Sequence, residues 1–322
     1  MNVLVTGSTG FIGSNLVDWL ISNGHNVVGI DIDIKKPFIN EIIPNHSSLC
    51  RYAKNVITPD YSFIWDDINQ LDCYPYVFDN GFDIVYHLAA SADIKKSFKC
   101  PTMDFENNVM GTNVLLEMIR KYDIKRLVFA STSAVYGEAT ITPTPEDYPD
   151  MRPISMYASS KICNEAFIHS YSHLYGIKST MFRFANVVGN RSRRGVTWDF
   201  YMKLKKNPKV LRILGNGKQT KSYFDVEDCI EGFVNLPFKR DVEVYNLGNS
   251  DTLNVKQLAD VVCDELDLSP RYIYSGGDRG WPGDAPITIL DISRALSNGW
   301  KINYSCEEAI RRTVRYLVKH PK

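Results

Sequence analysis

The stretch Met1–Leu20, MNVLVTGSTGFIGSNLVDWL, begins as an apolar run and becomes amphipathic after a glycine-rich turn. Val3–Thr6 predicts a buried strand, and Ile12–Asn23 predicts a helix. The turn between them contains three glycines: Gly7, Gly10 and Gly13. These glycines either serve only the packing of a tight strand-to-helix turn or make room for the phosphates of a ligand. The second interpretation is physically attractive because the free N–H groups of a helix N-terminus favour an anion.

Composition and charge exclude several classes of protein. The 322 residues are 44% hydrophobic and 23% charged, which is typical of a globular chain that can bury a sizeable core. Lys and Arg number 37, as do Asp and Glu, so no overall field attracts nucleic acid or an anionic membrane. We expect neither as a partner, and any anion site must be local.

Cysteine and histidine spacing predicts no metal site and no disulfide framework. The 7 cysteines are scattered without a C-x-x-C pair, which is typical of reduced thiols. His169 and His173 have i, i+4 spacing, but a solvated helix face explains this better than a metal ligand pair. We expect neither an export signal nor a membrane span, because no charged segment precedes an apolar one and no long apolar run occurs. These features predict a cytoplasmic location.

Strand-like and helix-like segments alternate up to about residue 184. The segments that predict strands are nearly continuous in apolar character, as strands buried on both faces should be. They are Val3–Thr6, Val27–Ile30, Tyr61–Trp65, Asp83–Leu88, Arg126–Ala130 and Ser179–Arg183. The helical segments between them include Ile12–Asn23, Asp104–Tyr122 and Met156–Tyr175. This alternation predicts an α/β, Rossmann-type fold with a doubly wound parallel sheet and right-handed crossovers.

The alternation loosens after about residue 185. Glycine, proline and basic residues crowd the segment Asn186–Lys221, and a short strand is predicted at Val210–Leu214. Helical patterns return at Asp225–Leu236, Val255–Leu266 and Ser305–Lys319. We predict a dinucleotide-binding domain over residues 1–185, to which residues 222–248 return. A smaller, partly interleaved α/β substrate lobe would comprise residues 186–221 and 249–322.

The context of the glycines favours the phosphate interpretation, because they follow a predicted strand and open a predicted helix. Asp31 ends the second predicted strand. A carboxylate there can accept hydrogen bonds from ribose hydroxyls and would repel a 2′-phosphate, which predicts NAD rather than NADP. Lys35 and Lys36 weaken that preference. Asp67 follows the third predicted strand and either contacts adenine or is simply an exposed acid.

Tyr157 and Lys161 place a phenol and an ammonium one helical turn apart. A nearby cation stabilises a phenolate, so we expect Lys161 to lower the pKa of Tyr157. Tyr201 and Lys205 share this spacing. Only the first pair follows a predicted strand that ends in hydroxyls, Ser131–Ser133, and ligands of open α/β sheets bind at that edge. We therefore predict that the chemistry belongs to Tyr157 and Lys161.

These motifs together resemble the extended short-chain dehydrogenase/reductases. The matching segments are Gly7–Gly13, Asp31, His87–Ala90, Asn107–Thr112, Ser131–Gly137, Tyr157–Lys161 and Arg183–Asn186. Within that family the chain is most similar to the NAD-dependent nucleotide-sugar epimerases and dehydratases, above all to the UDP-glucose (UDP-galactose) 4-epimerase type. Gly215–Tyr223 and Gly283–Asp284 resemble the family's nucleotide-sugar segments, so the similarity covers nearly the whole chain.

The resemblance implies roles for three catalytic side chains. Tyr157 would take the proton from the sugar 4-hydroxyl, Thr132 would hydrogen-bond the same oxygen, and Lys161 would hold the nicotinamide ribose. Asn107 or Asn108 would order the helix behind the site.

It also implies two sets of binding residues. Those for NAD are Gly7, Gly10, Phe11, Ile12, Gly13, Asp31, Asp67, Ile68, Leu88, Ala89, Ala90, Asn107, Ala130, Tyr157 and Lys161. Those for a nucleotide-diphosphate sugar, with UDP favoured, are Ser133, Asn186, Arg194, Lys221, Arg279 and Asp284. Lys221 stands where these relatives usually have an arginine, so a bidentate grip on the diphosphate becomes a point charge. Four arginines could compensate, the pocket could favour another nucleotide, or the arginines could simply belong to solvated loops: Arg191, Arg193, Arg194 and Arg279.

Ala134 distinguishes between reactions of the family. Relatives that dehydrate or decarboxylate carry a glutamate at this position, and a methyl group cannot act as a general acid or base. We therefore expect epimerisation at C4 through a transient 4-keto intermediate. A nucleotide-sugar C4 dehydrogenase or keto-reductase with net cofactor turnover is the alternative. A 4,6-dehydratase and a non-catalytic nucleotide-binding module fit less well.

Two further expectations concern surfaces. The resemblance implies a homodimer formed by the helices Asp104–Tyr122 and Met156–Tyr175. An apolar stripe on the first helix supports this, although it could instead face the sheet: Phe105, Val109, Leu116 and Ile119. The chain between Asp31 and Asp67 is longer than in compact relatives, and we expect a surface elaboration within residues 33–65.

Overall fold

The computed structural model describes residues 1–32, 55–57, 61–73, 75–79 and 81–321. Most of the predicted surface elaboration, including Lys35 and Lys36, lies outside the described residues.

The strands and helices follow one another in the order that the sequence predicts. In chain order, the strands are β1 (Asn2–Thr6), β2 (Asn26–Asp31), β3 (Asn55–Ile57), β4 (Tyr61–Trp65), β5 (Ile84–His87), β6 (Arg126–Thr132), β7 (Lys178–Phe184), β8 (Asn186–Val188), β9 (Val210–Ile213), β10 (Thr220–Lys221), β11 (Tyr223–Asp225), β12 (Val242–Leu247), β13 (Leu253–Asn254), β14 (Arg271–Tyr274) and β15 (Ile287–Thr288). The α-helices are α1 (Phe11–Ser22), α2 (Ile94–Lys99), α3 (Thr102–Asp104), α4 (Gly111–Lys121), α5 (Met156–Tyr175), α6 (Gly195–Lys206), α7 (Val226–Asn235), α8 (Val255–Glu265), α9 (Ser293–Ser297) and α10 (Cys306–Lys319).

In the part of the chain that the structure describes, eight strands form the main sheet in the order β12-β7-β6-β5-β1-β2-β4-β3. β1 pairs in parallel with β2 and β5, β2 pairs in parallel with β4, and β5 with β6. The central strand is sealed from water, since Val3, Leu4 and Val5 are each 0% exposed. Continuous apolar character is what a parallel strand buried on both faces requires. The predicted α/β Rossmann-type fold is therefore confirmed.

Two strands of this sheet were not predicted individually. β3 pairs antiparallel with β4 at the edge of the sheet. β12 forms the opposite edge next to β7. β3 has three residues, too few for a periodic pattern to show, and β12 lies at an edge of the sheet.

Helix α5 has the bounds that the sequence predicts, and local chemistry explains both ends. Ser155 caps the N-terminus, where its Oγ accepts a hydrogen bond from Ala158 N at 3.2 Å. Gly176 ends the helix with a φ of 69°, a left-handed conformation that glycine adopts without steric cost. The 20-residue helix thus holds Tyr157 and Lys161 in a fixed register.

The helix predicted over Asp104–Tyr122 has a different geometry. Between α3 and α4 the residues Phe105–Met110 form a π-helical turn, whose i→i+5 bonding shifts the phase of the side chains. As a result Phe105 is 58% exposed, while Val109, Leu116 and Ile119 are buried. Leu116 and Ile119 pack in the core beneath the sheet. Three positions of the predicted apolar stripe therefore face the core.

The chain forms two compact units. Unit 1 comprises Met1–Val135, Ser155–Phe182 and Pro237–Val244, and unit 2 comprises Tyr136–Ile154, Arg183–Leu236 and Tyr245–Lys322. These bounds differ from the sequence-based division at residues 136–154 and 183–185, which belong to unit 2. They also differ at residues 222–248, of which only 237–244 belong to unit 1. The functions assigned to the two domains stay predictions.

Long-range hydrogen bonds explain why residues 136–154 belong to unit 2. Thr144 N donates to Ile289 O at 2.9 Å, and Asp291 N donates to Thr144 O at 2.9 Å. Asn246 Nδ2 also donates to Thr144 O at 2.9 Å. Pairing over such a sequence distance leaves no local pattern in the sequence.

Among the residues that the structure describes, no helix combines the length and the apolar character needed to cross a bilayer.

Candidate functional site

The three glycines of the turn between β1 and α1 have different surroundings. Gly7 has a φ of 72°, and a Cβ atom there would lie 2.7 Å from Ala89 N. A Cβ at Gly13 would lie 2.1 Å from Gly7 O. Within the described part of the chain, a Cβ at Gly10 would meet a single atom closer than 4 Å, Gly7 O at 3.0 Å. Packing thus explains Gly7 and Gly13, whereas Gly10 leaves space beside the helix terminus.

The N-terminus of α1 has the features of an anion site. Gly10 is its N-cap residue, no side chain caps the helix, and its first turn contains no acidic residue. Phe11 and Ile12 form the first turn and are partly exposed. Backbone N–H groups of a first turn have no partner within the helix, and they can hold a phosphate that approaches over a glycine.

Asp31 lies against this turn at the end of β2. Its side chain is 7% exposed, and Oδ2 accepts a hydrogen bond from Thr9 N at 3.1 Å. The glycine turn and the acid of the predicted dinucleotide motif are therefore next to each other, as a bound dinucleotide requires.

Asp67 has a structural role of its own. Its Oδ1 accepts hydrogen bonds from Asn69 N at 2.9 Å and from Asn69 Nδ2 at 3.0 Å, at the start of the 3₁₀ helix Ile68–Cys73. Ile68 is 7% exposed and packs in the core. The adenine contact of Asp67 stays a prediction.

A buried histidine connects β1, β5 and α4. His87 is 1% exposed, and its Nδ1 lies 2.8 Å from Thr6 Oγ1, while its Nε2 lies 2.8 Å from Thr112 Oγ1. Thr6 Oγ1 accepts a hydrogen bond from Ala89 N at 3.2 Å, and Thr112 Oγ1 donates to Asn108 O at 2.6 Å. Because the Thr112 proton goes to Asn108, Nε2 of His87 is the donor, and Nδ1 accepts from Thr6.

This arrangement fixes both the tautomer and the charge of His87. Burial, with a smaller contribution from the charge of Lys161, lowers the pKa of His87 to about 3, so the ring is neutral at pH 7. Its hydrogen bonds hold the start of the segment Leu88–Ala90, which is partly exposed and is predicted to contact the cofactor. This structural role was missed from the sequence, although His87 belongs to a motif that carries the family resemblance.

Asn108, in the π-helical turn, makes the contacts that were expected of Asn107 or Asn108. Its Oδ1 accepts from Ser91 N at 2.7 Å, and its Nδ2 donates to Ser91 O at 3.2 Å and to Ser160 Oγ at 2.9 Å. It thereby ties the segment after β5 to α5, next to Lys161. Asn107 is partly exposed, and its cofactor contact stays a prediction.

Thr132, at the end of β6, and Tyr157, in the first turn of α5, are hydrogen-bonded through their side chains. Burial raises the pKa of Tyr157 to about 12, the Thr132 hydrogen bond opposes this rise, and the negative charge of Asp104 adds to it. Asp104 is 1% exposed and accepts a hydrogen bond from Ser97 Oγ. The expected lowering of the Tyr157 pKa by Lys161 was wrong for this arrangement, because burial outweighs the distant ammonium.

Lys161 is buried beneath this pair. Its side chain is 2% exposed, Nζ donates to Ala130 O at 2.7 Å, and it lies 4.5 Å from the ring centroid of Phe129 but 6.0 Å from that of Tyr157. Burial lowers the pKa of Lys161 to about 7, and the charge of Glu165 opposes this change. Ala130, predicted as a cofactor contact, here holds the lysine.

The second Y-x-x-x-K pair has a structural explanation. Tyr201 is 6% exposed and its hydroxyl donates to Leu317 O at 3.0 Å, within unit 2. Lys205 is exposed. Neither residue adjoins a strand end with hydroxyls, as Tyr157 does.

Most of the predicted substrate residues lie in unit 2. Asn186 Nδ2 donates to Ser222 O at 3.1 Å at the start of β8, and Arg194 is the exposed N-cap residue of α6. Ser133, in unit 1, follows Thr132 and is partly exposed.

The cationic side chains predicted to hold the diphosphate are engaged with carboxylates. Lys221 Nζ forms an ion pair with Asp284 Oδ1, so two predicted substrate residues contact each other. Arg279 forms an ion pair with Glu138 at 2.7 Å. Among the described residues, no group of three or more His, Cys, Asp and Glu side chains is arranged to hold a metal ion.

The chain resembles known proteins along nearly its whole length. Residues 4–313 match the family described as GDP-mannose 4,6 dehydratase. A putative UDP-glucose 4-epimerase of Methanocaldococcus jannaschii is 35% identical over 321 residues, 98% of each chain. The solved structure of UDP-glucose 4-epimerase with UDP-glucose from Thermotoga maritima is 31% identical, with a TM-score of 0.88 over 100% of both chains. That of UDP-glucuronic acid 4-epimerase from Bacillus cereus, with UDP-glucuronic acid and NAD, is 28% identical, with a TM-score of 0.86 over 99% of this chain and 100% of that one.

Proposed function

Because this chain belongs to the family described as GDP-mannose 4,6 dehydratase, whose members include NAD-dependent nucleotide-sugar epimerases, we propose that it is a nucleotide-sugar 4-epimerase. The reaction would invert C4 of a nucleotide-diphosphate sugar through a transient 4-keto intermediate. The relatives solved with UDP-glucose and UDP-glucuronic acid support UDP as the nucleotide.

The observation that carries the proposal is the hydroxyl pair of Thr132 and Tyr157 with a methyl group beside it. Thr132 Oγ1 accepts a hydrogen bond from Ala134 N at 3.2 Å, so Ala134 lies at the hydroxyl where a dehydratase of this family would need its acid. A proton acceptor for the sugar 4-hydroxyl is present, and no carboxylate occupies position 134 to drive a loss of water. This combination supports epimerisation over dehydration.

The residues around the glycine turn fit NAD as the cofactor. Gly10 leaves space at the uncapped N-terminus of α1 for a diphosphate, and Asp31 offers a carboxylate next to that turn for ribose hydroxyls. When bound, NAD supplies the acceptor and later the donor of the C4 hydride.

Three side chains of unit 1 have separate roles in the proton transfer: Tyr157, Thr132 and Lys161. In its phenolate form, Tyr157 Oη accepts the proton of the sugar 4-hydroxyl, and Thr132 Oγ1, hydrogen-bonded to the same side chain, orients it. The ammonium of Lys161 stabilises the phenolate, which matters because the pKa of Tyr157 is raised to about 12. The proton returns from Tyr157 when the ketone is reduced, so the protein ends the cycle unchanged.

The test is turnover of a panel of UDP-, dTDP- and GDP-sugars in deuterated water, followed by NMR. We expect the C4 epimer of at least one sugar, with no deuterium on carbon. Deuterium at C3 or C5, or loss of the 6-hydroxyl, would contradict simple 4-epimerisation. Denaturing the purified protein should release bound NAD, whereas net accumulation of NADH would favour a dehydrogenase.

Tyr157→Phe and Tyr201→Phe form a matched pair of variants for this assay. We expect Tyr157→Phe to lose at least about a thousandfold in kcat, since general-base catalysis contributes about that much. Tyr201→Phe shares the sequence motif but should keep nearly full activity. Equal rates for the parent and Tyr157→Phe would refute the assignment.

We also propose that the protein is a homodimer. Unit 1 exposes large apolar side chains on α2, the π-helical turn and α5, and a second copy would cover them: Phe98 (72% exposed), Phe105 (58%), Met110 (50%), Phe167 (38%) and Leu174 (65%). Apolar patches of this kind are typical of protein interfaces.

A further inference from the structure

A buried carboxyl group lies one helical turn beyond the proposed catalytic lysine. Tyr157, Lys161 and Glu165 follow each other at i, i+4 along α5 and so share one face of the helix. Lys161 is 2% exposed and Glu165 is 4% exposed. Acidic side chains are almost never buried to this degree without a partner, so Glu165 needs an explanation.

Glu165 joins α5 to the end of β6. Ser131 Oγ donates a hydrogen bond to Glu165 Oε1 at 2.5 Å, and Ser131 is itself 3% exposed. This bond gives the buried carboxyl group one of the hydrogen-bond partners that buried polar groups need. Ser131 immediately precedes Thr132, so this bond holds the strand end that carries the proposed catalytic hydroxyl.

Lys161 needs a compensating negative charge. Its ammonium is surrounded by protein, with Ala130 O at 2.7 Å as hydrogen-bond acceptor and the Phe129 ring centroid at 4.5 Å. A buried charge is costly unless it is paired or hydrogen-bonded. A backbone carbonyl offers a dipole but no net charge.

We assign this negative charge to Glu165, because the other titratable groups near Lys161 are neutral or act on Tyr157. On β5, His87 is neutral, with a pKa of about 3. Asp104, at the end of α3, acts on Tyr157, and burial raises the pKa of its carboxyl. Tyr157 itself is protonated at neutral pH. The charge of Glu165 opposes the effect of burial on Lys161, which otherwise favours the uncharged amine.

We propose that Glu165 is a positioning residue that keeps the Lys161 ammonium charged and, through Ser131, holds the Thr132 end of β6 against α5. The proposal rests on the proposed function, because Lys161 matters only if Tyr157 acts as the base.

The direct test is the titration of Lys161 in the full-length protein labelled with [ε-¹³C]lysine. The Lys161 resonance is assigned by its loss in Lys161→Met. Glu165→Gln keeps the shape of the side chain and an oxygen that can accept from Ser131, but removes the charge. We expect the Lys161 midpoint to fall by about one pH unit or more. An unchanged midpoint would overturn the proposal.

Catalysis gives a second readout. The parent should lose kcat as pH rises through the Lys161 midpoint, and Glu165→Gln should lose it at lower pH. Glu165→Asp restores the charge and should move the alkaline limb back toward that of the parent. A purely structural role predicts instead a drop in kcat at every pH with the limb in place, and this result would also overturn the proposal.

A second variant covers the case in which Glu165→Gln does not fold. Glu165→Met removes the charge with a side chain of similar length, and the Lys161 midpoint should fall here too. An unchanged midpoint would contradict the coupling. If the parent turns over no nucleotide sugar at all, the proposed function fails, while the Lys161 titration still decides the pairing of Glu165 with Lys161.

Discussion

His87 shows how a single residue fixes several elements at once. The spacing of residues in the sequence could identify the motif around it and could place Tyr157 and Lys161 on one helix face, since both depend on local geometry. Hydrogen-bond partners and pKa values depend on burial by distant segments. For this reason three features could not be predicted from the sequence: the hydrogen bonds that run from Ala89 through His87 to Asn108, the burial of Glu165 and the raised pKa of Tyr157. The i, i+4 spacing of Tyr157, Lys161 and Glu165 places all three on one helix face, and it was the one signal in the sequence that pointed to the buried glutamate.

The neutral state of His87 predicts a pH-dependent stability. Its pKa is about 3 in the folded protein against the ordinary 6.5, so between these values the unfolded chain binds more protons. The contribution of neutral His87 is complete above pH 6.5 and is lost as the pH falls. We expect His87→Gln to destabilise the protein at pH 7 by about 2 kcal/mol, because the geometry of two buried hydrogen bonds is disturbed. At pH 5 the difference between parent and variant should shrink by about 2 kcal/mol.

Urea unfolding of both proteins at pH 7 and pH 5 measures this difference. A gap between parent and His87→Gln that stays constant over the two pH values would show that folding does not lower the pKa of His87.

At the scale of elements, the turn between β1 and α1 was predicted correctly, but its three glycines are needed for different reasons. The sequence offered packing or phosphate binding for all three together. The structure gives packing to Gly7 and Gly13, and space for a ligand to Gly10. The distinction could not be predicted because Gly7 contacts Ala89 after β5, a contact made only in the folded sheet.

We therefore expect Gly13→Ala to affect mainly the stability of the protein and Gly10→Ala to affect mainly its affinity for NAD. A methyl group at Gly13 would meet Gly7 O at 2.1 Å, so we expect a loss of about 3 kcal/mol or more, or failure to fold. At Gly10 the nearest atom is the backbone oxygen of Gly7 at 3.0 Å, which a small shift relieves, so we expect a smaller loss of stability than at Gly13, with NAD affinity reduced about tenfold or more. Thermal unfolding and calorimetric titration with NAD measure the two effects. If Gly10→Ala binds NAD as tightly as the parent, the diphosphate does not cross this position.

The π-helical turn explains why Phe105 does not share a helix face with the other residues of the predicted apolar stripe. A regular helix over Asp104–Tyr122 would place Phe105 on the same face as Val109, Leu116 and Ile119. The wider turn at Phe105–Met110 turns Phe105 outward while the other three stay in the core. Helical periodicity assumes a constant number of residues per turn, so it could predict the helix but not which side chains it exposes.

At the scale of the whole molecule, each unit has a core of its own. Unit 1 is built around the sheet and α4, and unit 2 around α6, α8 and α10. The sequence predicted two lobes but placed residues 136–154 in the first, because their partners at residues 289–291 are far along the chain.

The exposed apolar side chains of unit 1 predict the oligomeric state. The parent should have about twice the chain mass of 36.6 kDa by light scattering coupled to size exclusion. Charges at the proposed interface are costly to bury, so Phe105→Lys combined with Leu174→Lys should give a monomer. The matched control, Ile287→Lys with Leu296→Lys, alters side chains of unit 2 that are 57% and 42% exposed and should stay dimeric. A parent that runs as a monomer would refute the dimer.

The π-helical turn also gives this segment a tolerance to shortening that a regular helix lacks. Five residues here span the angle that four span in an α-helix, so deleting Glu106 or Asn107 would leave an unbroken α-helix with Asp104 in nearly the same orientation toward Ser97 and Tyr157. A deletion within α4 or α5 has no surplus residue to remove and would rotate the backbone on one side of it by about 100° around the helix axis. A single deletion in the π-helical turn that spares Asn108 should therefore be far less damaging than one in either α-helix.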